Sequence, residues 1–218
     1  MVDKHVFWQA LIFTVIIFII GLIFGYFLES YRADRIELDV MGSEINMLDE
    51  QIRGTIASSS NVSCDLAIKS TFAFADKVYG EALKLEKYDA ASKLDKDALS
   101  IIHKRYDLLR MMLWQESIKV RKRCGGFHII VYFFKYDSEN VELRAEQSFY
   151  SRLLTDIKNK HPAEVLLVPI AANMDIASVD LAKASYGISK LPAILVDERE
   201  VVSSIITLDE LEKIVFSK

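Results

Sequence analysis

The two cysteines, Cys64 and Cys124, are the side chains with the clearest potential for chemistry. A deprotonated thiol is a nucleophile and a metal ligand, and a pair of thiols can interconvert with a disulfide. Two cysteines are too few for a disulfide scaffold or a closed structural zinc site. Three interpretations are open from the sequence: a structural disulfide, a pair that exchanges between dithiol and disulfide, or two buried free thiols.

Histidines and short motifs predict no catalytic or metal site. No two of the four histidines have a ligand spacing such as H-x-x-x-H, and the chain lacks G-x-G-x-x-G, P-loop and G-x-S-x-G motifs. His128 alternates with apolar strand neighbours, which favours a hydrogen-bonded core residue over a general base. The sequence therefore predicts a protein that is not an enzyme and uses no cofactor or metal. The histidines are His5, His103, His128 and His161.

The composition indicates a folded chain with an apolar excess. Of its 218 residues, 51% are hydrophobic and 27% are charged, which excludes intrinsic disorder as the overall state. The net charge of −4 argues against a nucleic-acid partner, because phosphate recognition needs a basic excess. The expected partners are the lipid bilayer and an unidentified protein or peptide, with a homodimer as a further alternative.

A membrane anchor is predicted at residues 1–29. Residues 6–28 are 23 consecutive residues without a charge, which as a helix of about 34 Å would cross a hydrocarbon core of about 30 Å. Trp8 and Tyr26 lie near the two ends, where aromatic rings favour the headgroup region. A cleaved signal peptide is disfavoured, because the run is too long and no small-residue cleavage site follows. Gly21 and Gly25 form a G-x-x-x-G, a candidate helix-dimerisation site.

The side of the membrane is weakly specified. Lys4 precedes the apolar run while Arg32 and Arg35 follow it, so the positive-inside rule gives no decision. Residues 61–63, Asn-Val-Ser, match the N-glycosylation acceptor pattern, and a disulfide would require an oxidising compartment. These two features favour an extracytoplasmic soluble region.

Residues 30–124 are predicted to form a helical stalk followed by a helical hairpin. The stalk carries an apolar a/d seam of only about two heptads, and Gly42 weakens its helix. It therefore either pairs with its copy in a coiled coil or folds back on the next helices, and the fold-back is favoured. Gly54 and the polar residues 58–61 are expected to end it. The seam consists of Leu38, Met41, Ile45, Leu48 and Ile52.

The hairpin places the cysteines. Amphipathic patterns predict helices at residues 63–88 and 98–120, and a short connection between them implies an antiparallel pair. With the turn near Leu94, Cys64 and Cys124 each lie 30 residues from it and meet side by side. A disulfide closing this loop would stabilise the fold by about 4 kcal/mol in the chain-entropy model.

A basic run precedes Cys124. Such a run could contact anionic lipid or nucleic acid. The favoured interpretation is a set of solvated cations at a helix C-terminus, where the macrodipole stabilises them. The run consists of Lys119, Arg121, Lys122 and Arg123.

After Gly125 the apolar period changes from helical to strand-like. Residues 127–136 are almost continuously apolar, as in a central strand buried on both faces. The order strand, helix, strand, helix, strand, strand, helix predicts an α/β sheet with a parallel start and an antiparallel hairpin at its end. Thr207 and Glu210 form a capping-box pattern. The predicted strands are residues 127–136, 164–171, 191–196 and 200–206, and the predicted helices are residues 141–160, 176–186 and a last one from 208.

This order, together with LAKASYGISKLPAILVD at residues 181–197, resembles the thioredoxin fold. In that family a helix ends in Tyr-Gly-Ile or Tyr-Gly-Val before a cis-proline and the third strand. The closing TLDELEK segment is also similar. The resemblance covers residues 127–218 and implies a cis Leu191–Pro192 bond in a thioredoxin-like domain at residues 125–218.

The departure from the family concerns its thiols. Redox-active relatives carry C-x-x-C at the start of the first helix, where this chain reads DSENVELR, and no cysteine follows Cys124. This excludes a dithiol oxidoreductase of the usual kind. In relatives the backbone beside the cis-proline pairs with an extended peptide, which needs no cysteine. The resemblance thus implies a peptide-binding site at Leu191, Pro192, Tyr136, Asp137 and Ser138.

The sequence as a whole predicts a membrane-anchored, redox-inactive thioredoxin-like protein that acts in interaction or as a scaffold. One alternative is a thiol–disulfide protein that uses Cys64 and Cys124. The other is a homo-oligomeric component of a membrane assembly.

Overall fold

The computed structural model describes residues 4–57, 61–90 and 96–217. The chain divides into two compact units, Met1–Ile45 and Asn46–Lys218, and each is described by itself.

The N-terminal unit consists of the first part of helix α1 (Lys4–Ala57). Its segment Phe7–Ser30 has 24 residues with a mean hydropathy of 2.8, and none of it is buried. This helix is long and apolar enough to cross a membrane, in agreement with the predicted single span. The seam residues Met41 and Ile45 are exposed, at 50% and 66%.

Helices α2 (Cys64–Ala90) and α3 (Lys96–Cys124) form the predicted hairpin in the second unit. The Tyr106 hydroxyl donates to the carbonyl of Val78 over 2.6 Å, and Cys64 lies beside Cys124, so the two helices run antiparallel. The predicted turn near Leu94 lies outside the described residues.

A four-stranded mixed sheet follows the hairpin. The strand order is β2-β1-β3-β4; β1 pairs with β2 in parallel, whereas β3 is antiparallel to both β1 and β4. The predicted parallel start and antiparallel end are therefore confirmed. The Leu191–Pro192 bond is cis, and the predicted capping box of Thr207 and Glu210 is present. The elements are β1 (His128–Phe134), α4 (Val141–Lys160), β2 (Val165–Ala171), α5 (Ala177–Ser185), β3 (Ala193–Val196), β4 (Glu200–Val202) and α6 (Leu208–Phe216).

Alternation along β1 divides the core into two layers. Ile129, Val131 and Phe133 belong to a cluster that also contains α5 and the hairpin, including the fully buried Trp114. Ile130 and Tyr132 belong to the opposite cluster, under α4 and α6. The hairpin and the sheet thus share one core, with α3 packed against β1 and β2.

The last turns of α1 pack on the hairpin, but through the face opposite the predicted seam, whose described residues stay exposed. Ala57 and Glu50 are buried, and the Glu50 carboxylate binds Arg53, which also donates to the Thr71 hydroxyl over 3.3 Å. Gly54 does not end the helix, which continues to Ala57. This glycine instead allows a close approach to α3, because a Cβ there would overlap the Glu116 side chain.

Candidate functional site

The residues of the predicted peptide site meet at one end of the sheet. The antiparallel register pairs Phe133 with Ala193, so the chain leaving β1 and the chain entering β3 are neighbours. Tyr136 therefore lies just beyond the end of β1, at the same end of the sheet as Leu191 and Pro192. The sheet brings these segments together although 55 positions separate Tyr136 from Leu191.

The loop after β1 is held in place by Asn173, which follows β2. The Tyr136 N–H donates to Asn173 Oδ1 over 2.7 Å, and Asn173 Nδ2 donates back to the Tyr136 carbonyl over 3.0 Å. Asp137 adopts a left-handed φ of 46°, which turns the chain toward α4. The buried Ser138 accepts a hydrogen bond from the Asn140 N–H over 3.3 Å, and Asn140 is the N-cap of α4. The loop is therefore fixed on both sides.

The Leu191–Pro192 segment offers free backbone groups. Pro192 is buried, whereas Leu191 is half-buried against the core layer that contains the hairpin. Within the described part of the chain, no group hydrogen-bonds to the N–H or the C=O of Leu191. Exposed Ser189 and Lys190 precede it. An incoming strand could pair with this backbone, because a peptide supplies both a donor and an acceptor.

Helix α3 adds two side chains that sequence reasoning did not assign to this end of the sheet. The His103 ring lies 4.1 Å from the Tyr136 ring between centroids. One turn later, Asp107 accepts from the Ala171 N–H over 3.3 Å and from Arg110 over 3.2 Å. Burial raises the pKa of Asp107 above its ordinary value, and Arg110 opposes that shift. The four-residue spacing of His103 and Asp107 places both on one face of α3. Nothing in the sequence indicated that this face contacts the sheet.

The opposite end of the sheet holds a buried ionic network around the β3–β4 turn. The Asp197 carboxylate is 1% exposed, and its Oδ1 accepts from the Ile129 N–H over 2.8 Å. Arg121 of α3 reaches Asp197 Oδ2 at 3.2 Å and Glu198 Oε2 at 2.8 Å. The other Glu198 oxygen accepts from Trp114 Nε1 over 3.0 Å. This network joins the end of α3 to the sheet.

The interpretation of the basic run as solvated cations is wrong for two of its four members. Arg121 belongs to the network just described, and Arg123 donates to the carbonyls of Ala57 and Val62, each over 2.8 Å. Arg121 lies against the sheet, where it contacts two carboxylates. Arg123 lies against the end of α1, where a helix-terminal carbonyl lacks a donor from its own helix. Only Lys119 and Lys122 are exposed, as expected.

His128 is a hydrogen-bonded residue, as predicted, although it lies at the margin of the core. Its Nδ1 is 2.7 Å from Asp197 Oδ2, and its side chain is 28% exposed. The ring makes an edge contact with Phe216 at 5.0 Å between centroids. No nucleophilic side chain contacts His128 in the described part of the chain, so the His128–Asp197 pair connects β1 to the β3–β4 turn.

Cys64 and Cys124 form a disulfide, which is one of the three interpretations that the sequence leaves open. The sulfurs are 2.04 Å apart and the Cα atoms 5.3 Å apart. Neither cysteine is a free thiol, so the interpretation as two buried free thiols is wrong. The bond joins the start of α2 to the end of α3, beside the Arg123 contacts.

The remaining candidate residues are the anchor glycines. An added Cβ at Gly21 or Gly25 would have no neighbouring atom within 4 Å. Both positions are therefore open along the apolar helix. Among the residues that the structure describes, no group of three His, Cys, Asp or Glu side chains could hold a metal ion.

Comparisons with known proteins give no relative. No family model, no curated protein and no solved structure matches the chain.

Proposed function

We propose that this chain is a membrane-anchored, redox-inactive thioredoxin-like protein that binds an extended peptide beside Pro192. The element order and the parallel-then-antiparallel sheet support the thioredoxin-like assignment. The absence of any cysteine after Cys124 supports redox inactivity of the thioredoxin-like domain itself, since exchange needs an attacking and a resolving thiol.

The observation that carries the peptide-binding proposal is the backbone of Leu191. Its N–H and C=O have no partner among the described residues, and Leu191 lies between the exposed Lys190 and the buried Pro192. These groups are therefore accessible, and a strand that supplies a donor and an acceptor would extend the sheet end. The peptide backbone would provide the affinity, and side-chain contacts would provide the specificity.

The loop facing Leu191 suits a rigid recognition surface. The paired hydrogen bonds between Tyr136 and Asn173 fix the loop before any ligand arrives, so little ordering entropy is lost on binding. The Tyr136 ring is half-buried against His103 and supplies an apolar surface with a polar tip.

The test uses the full chain in lipid vesicles, with a photo-cross-linking amino acid in place of Ser189 and a library of unstructured peptides. Ile205, which is 65% exposed on the chain that follows β4, gives the matched control position. Cross-links from position 189 should select peptides with a common pattern, and those peptides should slow hydrogen exchange of the Leu191 amide. Cross-linking equal to that from position 205, or binding that leaves the Leu191 amide unprotected, would exclude this binding mode.

A further inference from the structure

The turn before α2 carries an acceptor pattern for a covalent modification. Asn61, Val62 and Ser63 form the only Asn-x-Ser/Thr sequence in the chain, and its middle residue is not proline. Asn61 and Ser63 are exposed, whereas Val62 is half-buried and packs against the core layer that contains the hairpin. The fold therefore holds this segment by its middle residue and leaves the two defining residues at the surface.

Hydrogen bonds fix the segment without using the side chain of Asn61. The carbonyl of Val62 accepts from Arg123 over 2.8 Å. The Ser63 hydroxyl accepts from the Leu66 N–H over 3.4 Å, as the side chain of an N-cap residue does. A bulky group on the Asn61 amide would displace neither contact.

The neighbouring disulfide indicates the compartment in which this pattern is used. Cys64 follows Ser63 directly and is bonded to Cys124, and disulfides persist in oxidising compartments outside the cytosol. Asparagine-linked glycans belong to surface loops of secreted proteins. Asn61 and the disulfide both follow the apolar segment Phe7–Ser30, so a single span places them on the same side of the membrane. The disulfide and the acceptor pattern therefore require the same topology.

We propose that Asn61 is an N-glycosylation site on the extracytoplasmic side of the membrane. The co-substrate is an oligosaccharide carried on a lipid phosphate, and a transferase brings the two together. The amide nitrogen of Asn61 forms a bond to the anomeric carbon of the first sugar, and the bond from that carbon to the phosphate oxygen breaks. The lipid phosphate leaves with the electron pair, and the amide nitrogen loses one proton.

The glycan would lie at the opposite end of the sheet from the proposed peptide site. Asn61 is close in sequence to the disulfide, and Cys124 lies shortly before the first residue of β1. Leu191, in contrast, lies near the last residues of β1. A bulky, hydrophilic group on Asn61 would cover the start of α2 and leave the Leu191 backbone accessible. The glycosylation site is therefore independent of peptide binding.

The experiment translates the full-length chain in the presence of endoplasmic reticulum microsomes, which contain a lipid-linked oligosaccharide and its transferase. We expect a form of higher apparent mass that peptide N-glycanase returns to the mass of the unmodified chain. Asn61→Gln and, separately, Ser63→Ala should lose this form completely, because each removes one defining residue of the pattern. Ser63→Thr should retain it, because threonine keeps both the hydroxyl of the pattern and the N-cap.

The matched control is Ile205→Asn, made in the Asn61→Gln variant. It creates the same pattern with Ile206 and Thr207. Ile205 is 65% exposed, Ile206 is half-buried and Thr207 is exposed, as in the natural pattern. The Thr207 hydroxyl also accepts from an N–H of the helix that follows, that of Glu210, over 3.3 Å. Glycosylation at position 205 would show that the soluble region has entered the vesicles.

Three results would overturn the proposal. The first is a glycan at position 205 of the control but none on the original chain, because Asn61 would then fail as an acceptor in the right compartment. The second is no glycan on either protein, because the soluble region would then lie on the side of the membrane without the transferase. The third is a mass increase that persists in Asn61→Gln, which would place the modification at another residue.

Discussion

Removal of Arg121 should destabilise the second unit more than removal of the adjacent cation Lys122. Its guanidinium contacts the carboxylates of Asp197 and Glu198 and donates to the Asp197 carbonyl over 3.0 Å. In Arg121→Ala the Asp197 carboxylate, 1% exposed, keeps only His128 and Arg199 as charged or titratable partners.

The magnitude follows from burial of the charges that remain. Loss of one partner from a buried ion pair costs about 3–5 kcal/mol, because the other charge stays desolvated. Because His128 and Arg199 still contact Asp197, we expect Arg121→Ala to lower the free energy of unfolding by about 3 kcal/mol, at the lower end of this range. Asp197 and Glu198 also adopt left-handed φ values of 51° and 56°, so the turn depends on side-chain contacts to hold its shape.

Urea unfolding of the full chain in detergent, followed by tryptophan fluorescence, measures this cost. Trp114 donates to Glu198 and therefore reports on the same network. A loss of about 3 kcal/mol corresponds to a midpoint lower by about 1–2 M urea. Lys122→Ala is the matched control, because Lys122 is the adjacent cation and is exposed. If both variants unfold at the same urea concentration, Arg121 does not hold the turn and the account of the network is wrong.

Three further predictions concern the disulfide and two buried side chains. The Cys64–Cys124 disulfide joins residues that are 60 positions apart in the sequence. Its reduction should lower the free energy of unfolding by about 4 kcal/mol. Thermal melts with and without reductant measure this loss. Burial raises the pKa of Asp107, so the folded chain retains a proton that the unfolded chain releases. The free energy of unfolding should therefore fall as pH rises above about 4. Asp107→Asn should flatten this dependence, as measured by unfolding curves at a series of pH values. The Tyr150 hydroxyl is buried without a hydrogen-bond partner among the described residues. Tyr150→Phe should therefore leave the free energy of unfolding unchanged or raise it by about 1 kcal/mol. A clear loss of stability in chemical unfolding would mean that the hydroxyl has a partner.

The sequence predicted those features that depend on local patterns. Helix α4 matches its predicted bounds, and the central strand follows from the apolar run that contains Ile129 to Phe134. The disulfide was one of three open interpretations, and equal hairpin arms provided the geometric reason to prefer it. The fourth strand ends at Val202 instead of residue 206, because its partner β3 begins only at Ala193 and the last pair of the ladder is Ile194 with Val202.

Contacts between distant elements were beyond sequence reasoning. Arg121 and Arg123 are indistinguishable by pattern from Lys119 and Lys122, yet the arginines reach buried carbonyls and carboxylates 61 to 77 positions away. Likewise, the amphipathic pattern of α3 indicated a buried face without indicating that His103 and Asp107 would meet the sheet. Helical periodicity specifies which residues are buried, whereas the identity of the covering element depends on the packing of the whole unit.

The shared core of hairpin and sheet has a consequence for biosynthesis. Helices α2 and α3 are translated before the strands that cover them, and at about 5–20 residues per second residues 125–218 require several seconds to about 20 s. During that interval Trp114 and the rest of the inner face of α3 have no sheet to pack against. The disulfide needs only residues up to Cys124, so oxidation can close the hairpin before the last strands of the sheet are complete. A nascent chain that is oxidised early therefore presents a preformed template to the emerging strands, whereas a reduced one exposes the apolar faces of two unconnected amphipathic helices to aggregation.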